Sequence, residues 1–167
     1  MVNDDVQTAL ATVGRRLHGA EVAFLLGGSG LLWALGLTDE VGDLDLQVDE
    51  ADEDRLVAAA GSWLVDVTRQ GTDLWASPWL ARLRVDGVEV DAIGGMAFHH
   101  AGGIARLPMR AGGTVDVDGV TIAYADPALW WAVYRAYKPT KAACLERVLD
   151  DAAIARVRAE LALPAGW

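Results

Sequence analysis

Apolar positions recur at helical spacing near the start of the chain. Val6, Leu10, Val13 and Leu17 lie three or four residues apart, the stripe of an amphipathic helix. Asp4 or Asp5 is the expected cap, and Gly19 the expected end. The period then shortens. Glu21–Leu26 reads as a buried strand, Ser29–Leu37 as a helix entered through glycines, and Leu44–Val48 as the next strand. Asp52–Trp63 contains a helix on Leu56, Val57 and Ala60. Three β-like pieces follow at Leu64–Thr68, Leu74–Ser77 and Leu80–Val85, and Asp86-Gly87 joins the last to Val88–Ile93 as a hairpin. After Gly94-Gly95 comes a looser stretch with His99, His100 and further glycines. Thr114–Val117 and Val120–Tyr124 form a second hairpin across Asp118-Gly119. Pro127 opens a helix to Tyr137 at a position where its missing N–H is harmless. Thr140–Leu163, broken near Asp150, ends the chain. The pattern predicts an α+β (α/β) chain with antiparallel hairpins and a short C-terminal helical tail. Residues 1–125 are expected to form the core and residues 126–167 a helical segment packed on it as a single compact unit.

Composition narrows the class. A length of 167 residues suits one ordinary domain, and 53% hydrophobic against 23% charged residues supports a sizeable core rather than disorder. A single cysteine, Cys144, excludes an intrachain disulfide and a multi-cysteine zinc site. It suits a cytoplasmic location. Met1–Asp5 is acidic with no apolar signal core behind it. Val22–Leu26 and Gly30–Leu37 are too short to span a bilayer, so no membrane partner is expected. The net charge of −10 disfavours a broad nucleic-acid footprint, leaves room for a local basic patch, and would welcome a cationic small molecule. The seven tryptophans read first as core filling.

Candidate chemistry begins at the glycine turn. Leu25-Leu26-Gly27-Gly28-Ser29-Gly30 leads from a strand into a helix, and Asp43-Leu44-Asp45-Leu46 follows on the next strand. Bare backbone N–H groups at a helix start attract phosphate. Residues i and i+2 of a strand share a face, so Asp43 and Asp45 project together, Cα atoms about 6.6 Å apart, and suit divalent metal. Asp91 lies on the second strand of the Asp86-Gly87 hairpin, on the face of Glu89. A mid-strand aspartate needs a metal, partner or water. If its strand lies beside that of Asp43 and Asp45, three carboxylates converge. The arrangement would hold two magnesium ions on Asp43, Asp45 and Asp91, with Asp91 also helping to deprotonate an acceptor hydroxyl.

These residues resemble the DNA polymerase β-type nucleotidyltransferase superfamily, whose minimal members carry a glycine-(glycine/serine) turn, an aspartate pair in an hDhD strand (h hydrophobic), and a third strand carboxylate. The resemblance is closest to a small bacterial branch that includes abortive-infection toxin nucleotidyltransferases and lincosamide or aminoglycoside nucleotidyltransferases. Gly36-Leu37 after the helix, and Val117-Asp118-Gly119-Val120 leading through Tyr124-Ala125-Asp126-Pro127 into a helix, extend it over residues 21–145. It implies a mixed β-sheet flanked by helices and a Mg2+-dependent transfer of a nucleoside monophosphate from an NTP to a hydroxyl acceptor, with release of pyrophosphate. Gly27, Gly28 and Ser29 would grip the triphosphate. Lys138 and Lys141, in Lys138-Pro139-Thr140-Lys141, would face its phosphates. The chain departs from relatives at Val41-Gly42, where many have serine or threonine, and at Ala142-Ala143, where an acidic residue is common. Arg135 is a further candidate phosphate cation. The implied acceptor is a small molecule such as an antibiotic, or tRNA gathered by Arg106, Arg110, Arg135, Lys138, Lys141 and Arg147. The alternative is a catalytically silent binding protein or toxin–antitoxin partner, with Trp75, Trp79 or Trp167 forming a partner surface and a homodimer or antitoxin as occupant.

Other motifs read more plainly. The glycine turn lacks the Gly-Lys-Ser/Thr of a P-loop, and Trp33 stands where a dinucleotide fingerprint needs its last glycine. His99-His100 read as solvated loop residues, Cys144 as a packing residue, and Asp49–Asp54 as a solvated turn and helix start rather than a calcium loop. Arg82 and Arg84 share a strand face and are equally suited to phosphate, acceptor or solvent.

Overall fold

A computed structural model describes residues 3–167; Met1 and Val2, part of the acidic terminal stretch, lie outside the described residues. The chain runs α1 (Asp4–Gly19), β1 (Phe24–Gly27), α2 (Gly28–Ala34), β2 (Leu44–Val48), α3 (Glu53–Ala60), β3 (Leu64–Thr68), β4 (Trp79–Val85) and β5 (Val88–Gly94). It continues with β6 (Ala97–His100), β7 (Gly103–Arg106), β8 (Ala111–Val117), β9 (Val120–Ala125), α4 (Pro127–Tyr137), α5 (Pro139–Leu145) and α6 (Asp151–Glu160). Seven strands form one sheet in the order β3-β4-β5-β2-β1-β9-β8. The β2–β5 and β1–β9 neighbours are parallel and the others antiparallel, so the sheet is mixed and flanked by helices, as expected.

Alternation along the strands builds two cores. Leu44, Leu46 and Val48 of β2, with Val90 and Ala92 of β5, pack against the apolar stripe of α1 and Leu56 of α3. The opposite face carries Leu25 and Ala125, covered by α4, α5, α6 and the β6–β7 hairpin. Asp45 and Gln47 belong to this second face, because their neighbours Leu44, Leu46 and Val48 are committed to the first. Gln47 is buried, and its amide Nε2 donates to the Pro108 carbonyl at 3.1 Å.

Local expectations hold where the signal is local. The β2 range matches Leu44–Val48, and α4 matches Pro127–Tyr137 with Asp126 as its cap, accepting from the Ala128 N–H at 2.9 Å. Asp86 and Gly87 have φ of 50° and 83°, Asp118 and Gly119 of 49° and 75°, the geometry of tight hairpin turns. Asp49 caps a short 3₁₀ turn, Glu50–Asp52, bearing out the solvated turn. Four readings are corrected. Asn3, not Asp4 or Asp5, caps α1; the helix does end at Gly19, with Ala20 as its C-cap before Glu21 takes φ 57°. The Ser29–Leu37 helix stops at Ala34, and Gly36 with φ 71° turns the chain out. Leu74–Ser77 is not a strand, since only Trp75 bridges to Phe98. The stretch holding His99 and His100 is the β6–β7 hairpin, whose inner residues Phe98 and Ala105 are buried against the second core.

Candidate active site

The site starts at the junction of β1 and α2. Gly28 adopts φ +57°, a conformation that side chains resist, and a Cβ there would collide with the Asp45 carboxylate. A Cβ at Gly27 would collide with the Trp130 ring. Glycine at both positions is therefore a requirement of close approach: one against the acidic strand, the other against α4. Ser29 follows, partly exposed, in the first turn of α2.

Register then sets the carboxylates. Gly27 on β1 pairs with Asp45 on β2, Asp45 pairs with Asp91 on β5, Asp91 pairs with Arg82 on β4, and Arg82 pairs with Asp66 on β3. Directly paired residues share a face, so these side chains form one row across neighbouring strands spaced about 4.8 Å apart. Asp43 lies just before β2 and is exposed. Burial, then Asp43, then Asp91 push the Asp45 carboxyl up to about 7, while Lys138 and Lys141 pull it down. Burial also raises the Asp91 carboxyl, against the pull of Arg82. The three predicted aspartates thus feel one another, and both predicted lysines act on Asp45. Arg135 is exposed in the last turn of α4.

The lysines bracket an aromatic group that the sequence left unassigned. Lys138 Nζ lies 5.1 Å from the Tyr137 ring centroid and Lys141 Nζ 5.6 Å from that of Tyr134. Burial, then Asp45 and Asp43, push the Tyr137 hydroxyl up to about 12; burial and neighbouring negative charge also raise that of Tyr134. Burial and Lys138 lower the Lys141 ammonium, and Asp45 and Asp43 oppose them. A cavity of about 340 Å³ opens beside the aspartates, with Asp45, Asp91 and Arg82 among its lining and Trp75, Trp130 and Tyr137 among its walls. The segment between β3 and β4 contributes Gln70 and Thr72 to its lining. The signal that pointed here was the tryptophan count, read as core filling.

Several expectations change. Trp79 is buried, its indole N–H donating to the Glu50 carbonyl at 2.9 Å, and Trp167 stacks on Phe98 while donating to the Ala132 carbonyl at 3.0 Å. With Trp75 in the cavity wall, these three do not form a common partner surface. Arg110 is engaged by Asp126 at 2.8 Å and by Glu160 at 2.8 and 2.9 Å, so it is committed within the fold rather than offered to a nucleic acid. His99 is exposed on β6, while His100 Nδ1 accepts from the Gly102 N–H at 3.1 Å and its ring meets Trp167 edge-on. Cys144 packs beside the second core.

The donor set suits a hard cation. Mg2+ is commonly held by one or two carboxylates, with waters and substrate phosphates completing its shell. Asp45 and Asp91, paired in register, meet that need, with Asp43 alongside. Among the described residues, no group of three or more His, Cys, Asp or Glu side chains is drawn together as a protein-only metal cage.

No family model and no curated protein sequence matches the chain. Solved structures do. A candidate nucleotidyltransferase from Thermotoga maritima superposes with a TM-score of 0.73 at 20% identity, covering 89% of this chain and 94% of its own. The antibiotic-resistance factor ANT(2'')-Ia matches in its solution structure with a TM-score of 0.60 at 14% identity, covering 92% of this chain and 89% of its own. The same factor in a crystal with adenylyl-2''-tobramycin matches with a TM-score of 0.60 at 15% identity, covering 93% and 96%. At these identities the likeness establishes architecture: the chain has the nucleotidyltransferase fold.

Proposed function

We propose that this chain is a Mg2+-dependent nucleotidyltransferase that moves a nucleoside monophosphate from an NTP to a hydroxyl acceptor and releases pyrophosphate. The observation that carries the reading is the register of Gly27, Asp45 and Asp91, with Lys138 and Lys141 acting on the same carboxylate. Backbone N–H groups at Gly27, Gly28 and Ser29 hold triphosphate oxygens, and the two lysines balance their charge. Asp43, Asp45 and Asp91 would hold Mg2+, which would supply neutralisation of phosphate charge and polarisation of the α-phosphoryl group. The acceptor oxygen bonds to that phosphorus, the α–β bridging P–O bond breaks, and the electron pair leaves with pyrophosphate. Asp91, at the cavity side of the row, accepts the hydroxyl proton.

The fold neighbours support the reaction class, and one of them, holding an adenylylated aminoglycoside, makes a small-molecule acceptor a reasonable first trial. The toxin branch is a further placement that tRNA labelling would test. Incubation with labelled NTPs, Mg2+ and hydroxylated acceptors should transfer label; Asp45→Asn and Asp91→Asn should each abolish transfer in a folded protein. Retained turnover in both variants would overturn the assignment. The alternative reading is a silent binding protein. Calorimetry separates the two, because a silent protein gives no Mg2+-dependent heat with any NTP.

A further inference from the structure

We infer that the cavity beside Asp91 accepts a molecule built on one ring system and carrying an anionic group, and that it excludes polycations. The inference rests on the nucleotidyl-transfer reading and names the substrate class of that same site. At about 340 Å³ the cavity is near the small end for ligand pockets, room for a single ring-sized unit. Its charged lining is Asp45, Asp91 and Arg82. On the transfer reading the two aspartates serve the donor's cation and, at Asp91, the acceptor's hydroxyl, which leaves Arg82 as the positive charge facing an acceptor.

Arg82 pulls on the Asp91 carboxyl beside it but, among the described residues, closes no salt bridge of its own. It lies in register between Asp91 and Asp66. Glu89, across the rim, is instead taken by Arg84 at 2.9 Å. A guanidinium presents a planar fork that matches carboxylate or phosphate. A polyamine would meet that fork with repulsion and would find no unengaged carboxylate in the lining to pair its ammonium groups. Beyond a Debye length of about 8 Å the acidic surface is screened, so the local lining outweighs the net charge of −10. The walls add shape. Trp75 and Tyr137 meet edge-to-face with centroids 5.2 Å apart, and Leu80, Ile93 and Met96 complete an apolar side against which a flat ring packs. In the transfer, the ring-borne hydroxyl oxygen forms the new bond to the donor's α-phosphorus, pyrophosphate departs with the bridging oxygen, and the proton goes to Asp91.

The test uses the full chain with Mg2+ and labelled NTPs against two sets of single-ring acceptors: sugar phosphates, and hydroxylated amino sugars or aminocyclitols carrying two or more ammonium groups (the polycations). Label is expected on the anionic set only. Arg82→Glu should lower kcat/KM for an anionic acceptor at least about tenfold, and Arg82→Lys, which keeps charge but loses the fork, should fall between. Circular dichroism confirms that each variant is folded. Label on the polycations, or equal acceptor kinetics in Arg82→Glu, overturns the inference. Calorimetric binding of Mg2+–NTP with no label on any anionic acceptor overturns it while leaving nucleotidyl transfer standing. No NTP binding at all overturns both.

Discussion

Gly28 and Asp45 are packed so closely that a single methyl group on the glycine would occupy the space of the carboxylate. The glycine also sits at φ +57°, where a side chain costs about 1–2 kcal/mol. Two costs therefore add at this position, and a natural control separates them. Gly36 has φ +71°, but a Cβ there meets nothing within 4 Å. Gly36→Ala should show the backbone cost alone. Gly28→Ala should cost at least about 1 kcal/mol more in urea unfolding, through the displaced carboxylate, and should also lose nucleotide binding. Equal destabilisation of the two variants would mean that Asp45 is free to move aside.

The Asp45 carboxyl makes stability depend on pH in an unusual direction. Its folded value of about 7, raised chiefly by burial, exceeds an unfolded value of about 3.9. Between those values the folded state binds the extra proton, so stability is fully present below about pH 4 and falls as pH rises to about 7. The shift corresponds to roughly 2–4 kcal/mol. Asp91, also raised, acts in the same sense. In chelator, the wild-type urea midpoint should drop from about pH 5 to about pH 8 relative to Asp45→Asn, and Mg2+ should restore part of it at the higher pH. Parallel curves for the two proteins would refute the buried-carboxylate account.

The charges of Lys138 and Lys141 both act on the Asp45 carboxylate. A charge-assisted hydrogen bond to phosphate contributes about 1.5–3 kcal/mol, so Lys141→Ala should weaken Mg2+–NTP binding by roughly tenfold or more. Added salt should weaken the wild type more steeply than the variant, because the variant has one fewer charge to screen. Titration calorimetry at two ionic strengths reads both effects. An unchanged affinity would remove the lysine from the phosphate site.

What the sequence makes legible is whatever local physics decides. Alternating apolar residues place β2, Asp126-Pro127 starts α4, and the two Asp-Gly turns adopt positive φ as their residue types require. The pairing of Asp45 with Asp91 was conditional, because parallel partners are chosen by the whole sheet rather than by either strand. The cavity was not legible. Trp75 lies between strands, Trp130 and Tyr137 are on α4, and only tertiary packing brings them to one wall. The β6–β7 hairpin was missed for a related reason: its glycines and histidines read as loop, while burial of Phe98 and Ala105 holds it. Arg110 looked like a nucleic-acid contact because its partners, Asp126 and Glu160, are 16 and 50 residues away in sequence.

Two adjacent tryptophans on α4 offer a measurement of what an unpaired donor costs. Trp130 and Trp131 are each 1% exposed, yet the Trp131 indole N–H donates to Glu146 Oε1 at 2.9 Å while that of Trp130 has no partner. Phenylalanine removes the same atoms from both. At Trp131 it discards a hydrogen bond to a charged group, about 1.5–3 kcal/mol, in addition to the lost packing. At Trp130 the lost packing is offset by relief of a buried, unsatisfied donor, about 1–3 kcal/mol. Trp131→Phe should therefore destabilise the protein by about 2.5–6 kcal/mol more than Trp130→Phe in urea unfolding without nucleotide. If Trp130→Phe proves the more costly, its indole has an acceptor in solution. Its place in the wall beside Asp45 and Asp91 would then make a cavity-bound water the first candidate.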